Sequence, residues 1–191
     1  IKSLNEINKD LSSANKMFRL LQGDVGSGKT IVSLLGAINT INSGFQVAFM
    51  SPTEILARQH YTLAKKIFPS SINIELISGK SEYKEKKEIL KKLENNKIDI
   101  IFGTHAIFQK KVIFNKLGLI IIDEQHKFGV NQRKKLSDKG GVNCDVLLMT
   151  ATPIPRTLTM TIYGDMDISI IREKPKNRKP IKTYSKLEVK I

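Results

Sequence analysis

The sequence contains no tryptophan, one cysteine and three histidines among its 191 residues. A single cysteine, Cys144, excludes an internal disulfide framework and a zinc site built on cysteines. It sits beside the apolar run Val146-Leu147-Leu148-Met149, which suits a small buried hydrophobe better than a reactive thiol. Aromatic residues make up 6% of the chain, too few for base stacking to drive nucleic-acid binding. His60, His105 and His126 lack the spacing of a ligand cluster, which argues against a metal-dependent nuclease. No apolar run approaches the roughly 20 residues that cross a bilayer; the longest, Leu117 to Ile122, is strand-sized. The opening residues Ile1-Lys2-Ser3-Leu4-Asn5-Glu6 carry no signal-peptide pattern. They begin without Met and inside a helical pattern, so the chain reads as an excised piece of a longer protein.

What is present is basic charge: 32 Lys and Arg against 18 Asp and Glu, a formal net charge of +14. Such a balance favours a polyanionic partner. Only six of the basic residues are Arg, however, and the lysines are scattered, as a general lysine bias would scatter them. The most charged stretch, Ser81 to Asn95, reads as a helix with a solvated lysine face rather than a DNA track.

Short apolar runs alternate with amphipathic ones. Strands are expected at Phe18–Gln22, Gln46–Met50, Ile72–Ile77, Ile98–Phe102, Leu117–Asp123 and Asp145–Thr150. Helices are expected at Thr30–Ile41 and Thr53–Phe68, the latter with apolar positions Ile55, Leu56, Leu63, Ala64 and Ile67. Strands apolar on both faces and separated by helices indicate an α/β domain: a parallel sheet with helices on both faces, three layers in all. Ligands of such sheets bind at the carboxyl ends of the strands. From Arg172 the chain becomes charged, with Pro175 and Pro180, and reads as a linker. The expected organisation is one domain over 1–172 and a linker over 173–191.

Three segments carry chemistry. Gly23-Asp24-Val25-Gly26-Ser27-Gly28-Lys29-Thr30 matches the phosphate-binding loop in full, between a strand and a helix. Its glycines permit the dihedrals that turn backbone N–H groups inward, and the following helix adds its positive end. Lys29 suits the β and γ phosphates of ATP, and the Thr30 hydroxyl suits Mg²⁺. The strand ending in Asp123-Glu124 delivers two adjacent carboxylates. Asp123 suits Mg²⁺, and Glu124 suits orienting and deprotonating water. Side chains alternate along a strand, so using both requires the chain to turn there. His126, two residues beyond Glu124, is a candidate for coupling. Thr150-Ala151-Thr152-Pro153 places two hydroxyls at another strand end, within reach of the acidic pair.

Taken with Ser51-Pro52-Thr53-Glu54-Ile55-Leu56-Ala57, Phe102-Gly103-Thr104-His105-Ala106, Asp123-Glu124-Gln125-His126-Lys127-Phe128-Gly129-Val130 and Thr150-Ala151-Thr152-Pro153-Ile154-Pro155-Arg156-Thr157, these segments resemble the first RecA-like motor domain of a superfamily-two helicase. The resemblance spans about Phe18 to Lys182. Within that class the chain is most similar to the bacterial RecG family, on Gln22 and on Gln125-His126. The transcription-repair coupling factors, which translocate on duplex DNA, share less of the acidic box and are the alternative.

The resemblance implies an ATP-dependent DNA helicase that remodels branched DNA in recombination and repair, with ATP and Mg²⁺ as cofactors and a cytoplasmic, nucleoid-associated location. It assigns Gln125 and His126 to the catalytic set. It places Pro52, Thr53, Glu54, Ser78-Gly79, Gly103, Thr104 and His105 along the nucleic acid, holding phosphates without reading bases. Thr53 is also a natural helix N-cap. Thr150, Thr152 and Arg156 would couple nucleotide to nucleic acid. The adenine-recognising segment, the wedge domain and the second motor domain with its arginine fingers would lie elsewhere in the full-length protein. An isolated piece would then bind nucleotide weakly and turn it over slowly, since an arginine finger contributes ~10³–10⁵ in rate.

Overall fold

The structure, a computed structural model, describes residues 2–79, 83–124, 144–152 and 166–173. Among these, seven strands form one sheet: β1 (Phe18–Gly23), β2 (Gln46–Met50), β3 (Ile74–Ile77), β4 (Ile100–Gly103), β5 (Leu117–Ile122), β6 (Asp145–Thr150) and β7 (Asp167–Ile171). Their order is β3-β4-β2-β5-β6-β1-β7, and every pairing is parallel. The described helices are α1 (Lys2–Leu11), α2 (Lys29–Asn42), α3 (Glu54–Ile67) and α4 (Tyr83–Glu94), with a short 3-10 turn at His105–Phe108.

Both faces of the sheet are apolar because neighbouring residues on each strand serve opposite sides. Leu20, Ala48, Met50, Ile120, Ile122 and Leu148 pack on one face with Ile89 and Leu93 of α4. Leu21, Val47, Phe49, Ile121, Leu147 and Met149 pack on the other with Ile7, Leu34, Ala37 and Ala64 of α1, α2 and α3. This is the three-layer α/β architecture expected from the strand composition.

Three details depart from or refine the sequence reading. The edge strand β7 was not anticipated. It is only five residues long, with one buried position, and it carries Asp167 and Ser169, so it lacks the apolar signature of the central strands. On α3 the inward stripe is Ala57, His60 and Ala64, while Ile55 is 73% exposed. A small-residue line lets the helix lie close to the sheet, which outweighs burial of the larger Ile55. On α4 only Ile89 and Leu93 are buried, so its lysines form a solvated face as expected. The beginning of that helix (80–82) and the expected linker from 174 onward lie outside the described residues.

Two buried polar clusters hold elements together. Arg19 of β1 donates to Asp10 at 2.7 Å and to Ser169 Oγ at 3.0 Å, tying α1 to both β1 and β7. Gln46, 2% exposed at the start of β2, donates to Leu93 O and Ile98 O, both at 2.9 Å. Its Oε1 accepts from Asn115 N at 2.8 Å and Lys116 N at 3.1 Å. One side chain thus satisfies four backbone groups, from the end of α4 and from the segments leading into β4 and β5. A Gln46→Leu substitution strands those groups and is expected to lower unfolding stability by about 2–4 kcal/mol, measured by urea denaturation. Cys144 is fully buried, and burial pushes its thiol up to about 12, consistent with an inert core residue.

Candidate nucleotide site and nucleic-acid edge

The three chemistry-bearing segments follow β1, β5 and β6, and these strands are consecutive in the sheet, in the order β5-β6-β1. Because all are parallel, their carboxyl ends share one edge. That arrangement brings Gly23–Thr30, Asp123-Glu124 and Thr150–Thr152 side by side.

The loop after β1 enters α2 through two residues that favour glycine: Gly26 at φ 77° and Gly28 at φ 94°. Gly28 caps α2 and offers no side chain to its first amides, so those N–H groups point outward as an anion site. Lys29 Nζ donates to Gly23 O at 2.7 Å and Asp24 O at 2.9 Å, which holds the ammonium inside the loop. Burial pushes the Lys29 pKa down, opposed by the charges of Asp123, Glu124 and Asp24. The acidic pair is therefore electrostatically coupled to the loop lysine. Ser27 Oγ is buried and lacks a hydrogen-bond partner among the described residues. A polar ligand in the loop would satisfy it, which fits a phosphate better than an apolar group.

At the end of β5 the chain turns as the adjacent use of two carboxylates requires: Glu124 has φ 50° in the left-handed region. Asp123 keeps strand geometry through its N–H to Met50 O at 2.9 Å. Its Oδ1 accepts from Glu124 N at 3.0 Å, and its Oδ2 lies 2.8 Å from His60 Nε2. His60 was missed as a site residue by sequence reasoning. Its signal was present in the spacing Ala57, His60, Ala64, which reads as one inward helix line once α3 is placed. The hydroxyls of Thr150 and Thr152 lie 2.9 Å apart, and Thr152 N donates to Thr150 Oγ1 at 3.2 Å. The two form a local turn with one another, beside the acidic pair on the neighbouring strand.

The remaining candidates lie at the carboxyl ends of β2, β3 and β4. Thr53 caps α3, accepting from Leu56 N at 3.3 Å, and is exposed. Pro52 is half-buried, and Gly79 and His105 are exposed. Thr104 is half-buried and precedes the 3-10 turn. Two of these candidates also make contacts within the fold. Glu54, in the first turn of α3, turns its carboxylate onto Ser78 Oγ in the loop after β3 and lies 3.9 Å from Arg58 one turn further on. Gly103 is buried, and a Cβ there would meet Ile77 O at 2.8 Å and Ile107 Cγ1 at 2.9 Å. Its place is set by close packing, and its backbone is paired with Ser51 N in the sheet. Gln125, His126 and Arg156 lie outside the described residues.

Among the described residues no cluster of three or more His, Cys, Asp or Glu could hold a metal ion by itself. No helix among them is long and apolar enough to cross a membrane.

The family model for DEAD/DEAH box helicases matches residues 5–161. The chain is 51% identical to ATP-dependent DNA helicase RecG of Staphylococcus epidermidis, over 95% of this chain and 26% of that protein. It is 53% identical to ATP-dependent DNA helicase RecG of Streptococcus pneumoniae serotype 4, over 95% of this chain and 27% of that protein. It spans about a quarter of the length of these curated relatives. A solved structure of RecG bound to a three-way DNA junction superposes with a TM-score of 0.80 at 44% identity, covering 94% of this chain and 24% of that one. A DEAD box protein from Methanococcus jannaschii shares the fold, with a TM-score of 0.66 at 19% identity over 90% of this chain and 48% of that one.

Proposed function

The chain belongs to the DEAD/DEAH box helicase family, and on that premise we propose that it is the first RecA-like motor domain of an ATP-dependent DNA helicase. In this reading the full-length protein hydrolyses ATP to translocate on and remodel branched DNA, such as forks and Holliday junctions. The observation that carries the reading is that the carboxyl ends of β1 and β5, on either side of β6, set Lys29 in the electrostatic field of Asp123 and Glu124. A phosphate loop alone would suit many unrelated enzymes.

The α2 amides, Lys29 and Ser27 receive the phosphate oxygens. Thr30 and Asp123 supply hard oxygen donors for Mg²⁺, which keeps most of its shell from phosphates and water and so needs no all-protein cage. When bound, the cation supplies neutralisation of charge on the transferring phosphoryl group. Glu124 turns off the strand to orient the attacking water and take its proton. Thr150 and Thr152, together with Gln125, His126 and Arg156, relay the state of the nucleotide to nucleic acid. Pro52, Thr53, Glu54, Gly79, Gly103, Thr104 and His105 lie on the opposite half of the same sheet edge, and contacts to phosphates there would be sequence-independent and salt-sensitive. Residues 1–172 form the motor and 173–191 the connection to a second motor domain. That domain and a wedge domain complete the machine, which acts in the bacterial cytoplasm at the nucleoid.

The 44% identical RecG was solved on a three-way DNA junction, which supports branched DNA as the partner. Steady-state ATP hydrolysis by the full-length protein tests this, with forked, Holliday-junction, single-stranded and linear duplex DNA in turn. Stimulation is expected to be greatest with the branched forms. Equal stimulation by linear duplex would reject the branched-DNA assignment and favour a duplex translocase.

A further inference from the structure

The contact between His60 and Asp123 spans 63 positions of sequence and joins α3 to the end of β5. Both partners are largely buried, at 9% and 7% exposure. A buried carboxylate is costly unless its oxygens are engaged, and here both are: Oδ1 by Glu124 N and Oδ2 by His60 Nε2. The imidazole is itself fixed. It lies on the inward line of α3 between Ala57 and Ala64, and its ring centroid is 4.8 Å from that of Phe49, tilted by 42°. Phe49 in turn stacks on Phe102 at 5.0 Å. The orientation of the Asp123 carboxylate is therefore set by a ring that itself rests against Phe49 on the sheet.

We propose that His60 is a positioning residue that orients Asp123 for the divalent cation accompanying the nucleotide. This rests on the reading of the loop and acidic pair as a nucleotide site. His60 lies on a helix that contributes no group to the phosphate loop, and it acts only through Asp123. Hydrogen-bond partners of metal-binding carboxylates hold the ligand in the geometry the cation needs, and losing one weakens metal affinity by about 10–100-fold.

The contrast of two amide substitutions isolates this role from simple packing. In His60→Gln the side-chain amide reaches the position of Nε2 and can still donate to Oδ2. In His60→Asn an amide of the same chemistry falls short by one methylene. Binding of a fluorescent ADP analogue to the full-length protein, in saturating Mg²⁺ and in EDTA, provides a readout independent of turnover. We expect His60→Asn to lose about 10-fold of the Mg²⁺-dependent gain in affinity, with binding in EDTA unchanged, and His60→Gln to keep most of that gain. The proposal is overturned if the two variants behave alike, whether both retain the wild-type gain or both lose affinity in EDTA as well. If the wild-type protein itself shows no Mg²⁺-dependent nucleotide binding, the reading of the site fails instead.

Discussion

Replacing Lys29 with alanine is expected to lower ATP hydrolysis by the full-length protein by at least about 100-fold, the scale on which a single preorganised donor contributes at such sites. The reason lies in where the ammonium is kept. Its two short bonds to Gly23 O and Asp24 O hold it within the curl of the loop, partly desolvated, a few ångströms of side-chain rotation from the phosphates the loop would cradle. Burial lowers its pKa while the charges of Asp123, Glu124 and Asp24 oppose the shift, so the amine sits partly desolvated in the field of the acidic pair. Alanine removes that charge without disturbing α2, since it is the best helix former and the position is the first of the helix. Phosphate release under steady state checks the rate, and circular dichroism checks the fold. Wild-type hydrolysis by the variant would remove the loop from the reaction altogether.

The second large effect is expected at Glu124. Glu124→Gln should reduce hydrolysis by roughly 10²–10⁴-fold, the usual contribution of a positioned general base, while leaving nucleotide affinity close to wild type. The two acidic neighbours occupy different environments. Asp123 is held in strand register and bonded on both oxygens, whereas Glu124 is half-buried and swung away by its left-handed backbone. The glutamine side chain has the same shape and tolerates that backbone as glutamate does, so the substitution removes basicity alone. Single-turnover hydrolysis and equilibrium binding of the same nucleotide separate the two quantities. A variant that binds far more weakly but hydrolyses what it binds at the normal rate would assign Glu124 to ground-state binding instead of proton transfer.

The glutamate turn also shows how a local rule can reach beyond secondary structure. Alternation along a strand forbids two neighbouring side chains from facing one site, so adjacent carboxylates with a shared task force a break in the strand. That break is where the structure has it, at φ 50°. Similarly, the pattern of apolar runs between helices was enough to specify parallel strands covered on both faces, because only such strands bury both sides. The short edge strand β7 escaped the same logic. An edge strand has one solvated side and a register supplied by its neighbour, here Arg19 opposite Asp167, and five residues of mixed polarity do not carry a period of their own.

The sequence alone determined the phosphate loop, the acidic pair and the order of the elements that bear them. These are local features: glycine dihedrals, the strand before and the helix after are all written within about a dozen residues. Only the tertiary structure decided what those groups touch. The inward face of α3 follows from how closely that helix can approach the sheet, which set His60 against Asp123 and left Ile55 in solvent. The same close packing buried Gly103 and turned the carboxylate of Glu54 onto Ser78. Contacts between residues tens of positions apart depend on layer spacing and strand order. Those are properties of the assembled sheet, and no single segment of the sequence encodes them.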